Sequence, residues 1–228
     1  MTCRPVRIVR AATASPWCEP CGAAESGSPD AMGAMDHAQP AASTTTGPGA
    51  FLAIVGASGV GKDALISYAR ERLDEAAVHF PRRVITRPEG AGEDHEPIDE
   101  AGFAAGCACG DFAVSWRAHG LGYGIPAAVD DEIRSGRTVV ANVSRGVLGV
   151  LAARYPGLVV VRVTVSDDVR AERLLGRGRE AVHDVVQRLS RTDPAPDHPV
   201  DVEIRNDGTV AEGGDRLLRA IMKAQQLV

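Results

Sequence analysis

Apolar runs of strand length alternate with helix-like segments from about residue 50 to the C-terminus. Strands are predicted at 50–55, 82–86, 138–143 and 158–165, with a weaker one at 201–204. Helices are predicted at 62–77, 126–135, 146–154, 167–176, 180–191 and 211–226. Because strands that alternate with helices usually form a parallel sheet covered by helices, the pattern predicts an α/β fold with a mostly parallel sheet.

Two parts of the chain depart from this alternation. Between about 87 and 125 the pattern is irregular, with strand-like pieces at Phe112–Trp116 and Leu121–Ile125, and we expect a small substrate-binding insertion between core strands. Residues 1–48 are rich in Ala, Pro, Gly, Ser and Thr and lack an apolar period, so we expect a disordered extension, with translation starting at Met32 or Met35. The remaining residues, 49–228, form one predicted domain.

A glycine-rich segment follows the first predicted strand. It reads Gly56-Ala57-Ser58-Gly59-Val60-Gly61-Lys62-Asp63 and fits the phosphate-binding pattern G-x-x-x-x-G-K-[ST] at every position but the last. Its glycines let backbone N–H groups converge on an anion, and the helix that follows adds the positive end of its dipole. We predict that these residues bind nucleotide phosphates, with Lys62 as a catalytic cation on the β- and γ-phosphates.

Composition excludes several classes of partner. The formal net charge of -5 opposes a broad nucleic-acid surface, and no apolar run approaches the ~20 residues that span a membrane. The five cysteines include the pairs Cys18–Cys21 and Cys107–Cys109, without the spacing of a four-ligand zinc site. We expect reduced thiols in a cytoplasmic protein that binds neither nucleic acid nor membrane.

Five further segments resemble the guanylate-kinase-like branch of the nucleoside monophosphate kinases. They are RVITR (83–87), GEDH (92–95), SWRAHGLGYGI (115–125), NVSRGV (142–147) and ERLLGRGRE (172–180). Within that branch the chain is similar to the ribose 1,5-bisphosphate phosphokinases in the strings GKD, VITRP, GEDHE, SWxAHGLxYGIP and SRGV. From about residue 50 onward, the resemblance implies a three-layer P-loop NTPase fold with an acceptor-binding insertion at about 87–125 and a lid at about 174–182.

That family transfers the γ-phosphoryl group of ATP to the 1-phosphate of ribose 1,5-bisphosphate, giving 5-phosphoribosyl 1-diphosphate in phosphonate breakdown. The resemblance implies ATP as co-substrate, Mg²⁺ as cofactor and these small molecules as the partners. It leaves the oligomeric state open, a homodimer included. Two alternatives are a nucleoside monophosphate kinase of altered specificity and a non-catalytic guanylate-kinase-like binding module, although the latter has no need for an intact Lys62 loop.

Departures from the guanylate kinases favour an acceptor without a base. Guanylate kinases read guanine with a Glu where this chain has Ser115, and they place acids on the strand where it has Ala141, Asn142 and Val143. A site without carboxylates to accept the N–H groups of guanine loses most of its base discrimination. The missing acids fit a sugar phosphate.

Asp63 stands where ordinary P-loop enzymes have a hydroxyl that ligates Mg²⁺. Since Mg²⁺ prefers oxygen ligands and keeps several waters, we predict that Asp63 ligates it directly or through water. The alternative is that the carboxylate only favours the helix N-terminus.

The remaining site residues are implied by the resemblance. Arg83 and Arg87 end the second predicted strand, where related kinases hold the acceptor's phosphate, and planar guanidinium groups suit such contacts. The predicted acceptor site consists of Arg83, Arg87, Ser115, His119, Tyr123 and Arg145. Arg173 and Arg177, in the segment resembling the lid, are the predicted catalytic arginines that close over the transferring phosphoryl group. The turn Asn206-Asp207-Gly208 resembles the one beside the adenine.

Overall fold

The computed structural model describes residues 47–88, 94–176 and 198–226. Its strands are β1 (Phe51–Val55), β2 (Val78–His79), β3 (Arg83–Ile85), β4 (His95–Pro97), β5 (Phe112–Ala118), β6 (Leu121–Pro126), β7 (Thr138–Asn142), β8 (Leu158–Thr164) and β9 (Val202–Arg205). Its helices are α1 (Lys62–Arg70), α2 (Glu100–Cys109), α3 (Val129–Arg134), α4 (Leu148–Arg154), α5 (Asp167–Gly176) and α6 (Val210–Gln225), with a 3₁₀ helix at Arg145–Val147. The predicted extension apart from 47–48, the predicted helix at 180–191 and most of the lid lie outside the described residues.

A five-stranded parallel sheet forms the centre of the fold, in the order β2-β7-β1-β8-β9. β1 is buried along its whole length, and its alternate residues face opposite sides. Phe51, Ala53 and Val55 pack with residues of α3 and α4, whereas Leu52 and Ile54 pack with α1 and α6. Continuous burial of this kind is typical of a parallel strand between two helix layers. The predicted three-layer α/β architecture is confirmed.

A second sheet of four strands, in the order β4-β3-β6-β5, carries the region that was predicted as an insertion. β3 pairs parallel with β4 and antiparallel with β6, and β5 pairs antiparallel with β6. The prediction of 82–86 as a strand of the central sheet is wrong, because β3 belongs to this second sheet. The edge of the central sheet is formed by β2, which has two residues and is therefore too short to be seen as an apolar period in the sequence.

Two helices differ from their predictions for local reasons. α1 ends at Arg70 rather than 77, because the Asp74 side chain accepts a hydrogen bond from the Ala76 N–H and its carbonyl accepts from Ala77 and Val78. α2 lies in the stretch predicted to be irregular, where small residues and glycines hide its apolar face. It begins where Asp99 Oδ1 accepts the N–H of Gly102 at 2.7 Å. None of the described helices is both long and apolar enough to cross a membrane.

Candidate active site

The glycine-rich loop joins β1 to α1 across the carboxyl end of the central sheet. Gly56 and Gly61 have φ angles of 151° and 91°, which residues with a Cβ rarely adopt. A Cβ at Gly56 would also lie 2.3 Å from the Val163 carbonyl oxygen. α1 then begins at Lys62, and Gly61 has no side chain to cap its first turn. The uncapped N–H groups of that turn are therefore available to an anion.

Three side chains donate hydrogen bonds to carbonyl groups of this loop. Arg170 Nε donates to the Ser58 oxygen at 3.1 Å, and Asn206 Nδ2 donates to the Val60 oxygen at 2.8 Å. Arg173 Nη1 reaches the same Val60 oxygen at 3.5 Å. Because a planar peptide directs its C=O and N–H in opposite directions, these contacts turn the N–H groups of Gly59 and Gly61 away from the three side chains. Arg173, predicted as catalytic, thus contacts the backbone of the phosphate loop.

The Lys62 ammonium lies inside the loop and donates to the carbonyl oxygens of Gly56 at 2.8 Å and Ala57 at 3.0 Å. Burial lowers the pKa of Lys62 from 10.5 to about 8; the charge of Asp63 opposes this shift, and three arginines add to it. The loop therefore holds a partly desolvated cation. An anionic phosphate among the N–H groups would stabilise this cation.

Those three arginines come from three separate elements. Arg83 belongs to β3 of the second sheet, Arg145 begins the 3₁₀ helix after β7, and Arg170 lies on α5. Burial, with a further contribution from Arg145, lowers the pKa of Arg170. The structure thus brings the predicted residues Arg83 and Arg145 to Lys62 and adds Arg170. Such a concentration of positive charge attracts a polyanion.

Asp63 lies in the first turn of α1 with its side chain half exposed. Its Oδ1 accepts hydrogen bonds from Asn142 Nδ2 at 2.7 Å and from Arg83 Nη2 at 3.3 Å. No group of three or more His, Cys, Asp or Glu among the described residues could hold a metal ion. One carboxylate beside a phosphate loop still fits Mg²⁺, which takes oxygen ligands and completes its shell with waters and nucleotide phosphates.

Arg87 lies just beyond β3, beside an open cleft in the second sheet. The cleft has a volume of about 410 Å³ and is lined by Thr86, Arg87, Pro88, Pro97, Ile98 and Asp99. The imidazole of His95 is fully buried, and its Nε2 lies 3.3 Å from the Arg87 carbonyl oxygen. The backbone of Arg87 is therefore held in place at the edge of this cleft.

The other predicted acceptor residues are spread over the second sheet. Tyr123 stacks on Trp116, with ring centroids 5.4 Å apart and an angle of 5° between the planes. Ser115 faces the other side of the sheet, where its Oγ accepts from the Cys107 thiol on α2 at 3.5 Å. His119 is exposed at the turn between β5 and β6, with a φ of 57°. Their role in acceptor binding stays a prediction.

Comparison with known proteins identifies the family. No family model matches the chain. It is 65% identical over 178 residues to the ribose 1,5-bisphosphate phosphokinase PhnN of Pseudofrankia inefficax, covering 78% of this chain and 93% of that protein. It is 45% identical over 194 residues to the protein of the same name from Chelativorans sp., covering 83% and 93%. This chain belongs to the ribose 1,5-bisphosphate phosphokinase family.

The fold of this ribose 1,5-bisphosphate phosphokinase family member agrees with a solved structure of the related branch. A guanylate kinase from Anaplasma phagocytophilum superposes with a TM-score of 0.58 at 18% identity, covering 78% of this chain and 86% of that one. The similarity confirms the guanylate-kinase-like architecture. Family membership makes the chain a phosphotransferase, as the sequence predicted.

Sequence reasoning missed two residues that contact the phosphate-loop segment. Arg170 was overlooked, although it precedes Arg173 by three positions on α5 and therefore shares its helix face. Asn142 was noted only for the absence of an acid, and its contact with Asp63 has no signal in the sequence. Arg177, the second predicted catalytic arginine, lies outside the described residues.

Proposed function

We propose that this enzyme transfers the γ-phosphoryl group of ATP to the 1-phosphate of ribose 1,5-bisphosphate, producing 5-phosphoribosyl 1-diphosphate and ADP in phosphonate breakdown. The observation that carries the proposal is the 65% identity to the ribose 1,5-bisphosphate phosphokinase of Pseudofrankia inefficax, with 93% of that protein covered. The Lys62 loop and the cations around it supply the chemistry that such a reaction needs.

In the proposed reaction an oxygen of the acceptor's 1-phosphate attacks the γ-phosphorus, and the bond from that phosphorus to the ADP oxygen breaks. The acceptor phosphate is already ionised near neutral pH, so no general base is required. Catalysis then depends on positioning and on charge stabilisation. Lys62 and the loop N–H groups would hold the β- and γ-phosphates. Arg145 and Arg170, beside Lys62, would stabilise charge on the transferring group.

Asp63 would hold the magnesium ion of the nucleotide, with waters completing its shell. Bound Mg²⁺ would neutralise charge on the β- and γ-phosphates. Arg83 contacts Asp63 from the acceptor sheet and would therefore lie between the two substrates. Arg83 and Arg173 both contact the phosphate-loop segment, Arg83 at the Asp63 carboxylate and Arg173 at the Val60 carbonyl oxygen.

The acceptor would lie between the second sheet and the phosphate loop. Arg87 would bind one phosphate of the ribose bisphosphate, with Tyr123 adding a hydroxyl, and Arg145 would bind the other. The other proposed contacts are Ser115, on the face of the sheet that packs against α2, and His119, at the turn between β5 and β6. Arg177 would act from the lid. We also propose a cytoplasmic location. The proposed reaction is compatible with any oligomeric state, including a homodimer.

Phosphorus NMR of the full chain with ATP, Mg²⁺ and ribose 1,5-bisphosphate tests this proposal. A new diphosphate on ribose C1 is expected, with GMP and AMP inert in parallel samples. Turnover of GMP or AMP with ribose bisphosphate untouched would contradict it and favour a nucleoside monophosphate kinase. Absence of any transfer would favour a binding module.

The chain contains two lysines, which provide a matched pair of variants. Lys62→Ala should lower the transfer rate by about 100-fold or more, because it removes a charge from the phosphate site. Lys223→Ala, at an exposed position on α6, should leave the rate unchanged. Equal rates in the two variants would show that the measured activity does not depend on this site.

A further inference from the structure

The side chain of Asn142 lies on the face of the central sheet that carries the phosphate loop. It ends β7, and in the sheet it is paired with Ile54 of the neighbouring strand β1, two residues before the loop begins. Ala141 and Val143 pack into the core on one face of the sheet, whereas Val140 packs on the face covered by α1. Alternation places Asn142 on that second face. Its side chain therefore points toward the first turn of α1.

The contact of Asn142 with Asp63 has a defined chemical sense. Asn142 is 9% exposed, and its Nδ2 donates to Asp63 Oδ1 at 2.7 Å. An amide turned the other way would bring its oxygen against the carboxylate, so only one orientation is favourable. Hydrogen bonds to a charged group are also stronger than those between neutral groups. Together with the longer contact from Arg83 to the same Oδ1, the amide therefore orients Asp63 and leaves its Oδ2 open.

Charge explains why an amide, and not an acid, stands here. Ordinary P-loop enzymes pair a neutral hydroxyl on the loop with an acid on a strand. In this chain the loop carries the acid, Asp63, and the strand beside it carries the neutral partner, Asn142. A second carboxylate at 2.7 Å would repel the first. The site thus keeps one negative charge and one hydrogen bond, with the two roles exchanged between loop and strand.

We infer that Asn142 is the positioning residue for the metal-binding carboxylate of Asp63. In this pair the acid stands on the loop and the neutral partner on the strand, the reverse of the usual loop hydroxyl and strand acid. The inference rests on the proposed metal role of Asp63. It assigns to Asn142 a function that goes beyond the absence of a guanine-reading acid.

Calorimetric titration with ADP, in excess Mg²⁺ and in EDTA, tests the inference without turnover. The ratio of the two dissociation constants is the metal-dependent gain in affinity. Asp63→Ala should lower this gain by about 10-fold or more, since it removes the charged ligand without supplying the hydroxyl of ordinary P-loop enzymes. An unchanged gain in Asp63→Ala would overturn the proposed metal role itself, and with it the inference.

The role of Asn142 is then read from a double-mutant cycle. Asn142→Ala should lower the gain by about 10-fold in the presence of Asp63, the value of one hydrogen bond to a charged group, and by less than about twofold in the Asp63→Ala background. Thr138→Val, buried at the other end of β7, controls for general loss of stability. Equal losses in both backgrounds, or no loss with Asp63 present, would overturn the positioning role while leaving the metal role of Asp63 intact.

The double variant Asp63→Ser with Asn142→Asp tests the exchange directly. It returns a hydroxyl to the loop and a carboxylate to the strand, the arrangement of ordinary P-loop enzymes. The metal-dependent gain should recover to within about threefold of the native value, because charge and ligand type are both restored. A double variant as poor as Asp63→Ser alone would overturn the exchange.

Discussion

Lys62 should titrate near pH 8 in the nucleotide-free protein and return to an ordinary pKa when phosphates bind. Burial lowers its pKa from 10.5 to about 8, which corresponds to about 3 kcal/mol between the charged and neutral forms. A nucleotide's phosphates would offset this cost by placing negative charge at the ammonium. ADP binding should therefore take up about half a proton at pH 8 and nearly a whole one at pH 9.

Lysine labelled with ¹³C at Cε makes the titration directly visible. Because the chain contains two lysines, only Lys62 and the exposed Lys223 contribute signals, and Lys223 provides an internal reference. Without nucleotide the Lys62 signal should move with a midpoint near pH 8, and with MgADP that midpoint should rise above pH 10. A midpoint above about 9.5 in the free protein would refute the reasoning, since desolvation would then be too weak.

The same shift predicts how stability depends on pH. Between pH 8 and 10.5 the unfolded chain binds more protons at Lys62 than the folded protein does, so this residue makes the free energy of unfolding rise with pH. The rise should amount to about 3 kcal/mol across that window. It should be absent in Lys62→Met, which keeps the length of the side chain and cannot be charged. Denaturant unfolding at a series of pH values from 7 to 10.5 measures the free energy of unfolding of the native protein and of Lys62→Met. The difference between the two curves is the contribution of Lys62.

Three further predictions concern the frame around the site, two of them with a control substitution. Arg154→Met should cost roughly 3 kcal/mol of unfolding free energy, because the buried Asp130 would lose its ion pair with Arg154, whereas Arg134→Met at the exposed end of α3 should cost little. Denaturant unfolding would contradict this if both variants lost the same amount. Gly214→Ala should lower the melting temperature, since its Cβ would lie 2.2 Å from the Tyr68 ring, while Gly149→Ala, with open space around it, should raise it slightly. Thr209→Ala should cost about 1 kcal/mol by removing the capping box of α6, and a cost near zero would show that the helix does not depend on its cap.

Local sequence patterns were sufficient for the elements with long apolar periods. β1, β7 and β8 lie within two residues of their predicted bounds, because continuous apolar runs of strand length are typical of buried parallel strands. Short or compositionally weak elements were not predictable. β2 has two residues, and α2 contains too many small residues to show a clear apolar face. The strand at 82–86 was found but assigned to the wrong sheet, since propensity does not specify a partner.

Pattern matching predicted the phosphate loop and its lysine, because their chemistry depends on neighbouring residues. The contacts that surround the loop depend on the tertiary fold. Arg170 reaches the Ser58 carbonyl across 112 positions of the chain, and Asn142 reaches Asp63 across 79. Such pairs have no signature in a single sequence. They arise because β7 and β8 lie on either side of β1 in the sheet.

The sequence by itself determined the α/β class, the nucleotide-phosphate loop and the resemblance to one kinase family, because each depends on local order or on motifs at fixed spacing. Only the tertiary structure decided which residues meet at the loop. The order of strands places Asn142 beside Asp63, and the packing of the second sheet against the first brings Arg83 to the same carboxylate. Burial, which lowers the pKa of Lys62, is likewise a property of the assembled fold. Distance and desolvation are set by chain segments that are far apart in sequence, and no local pattern encodes them.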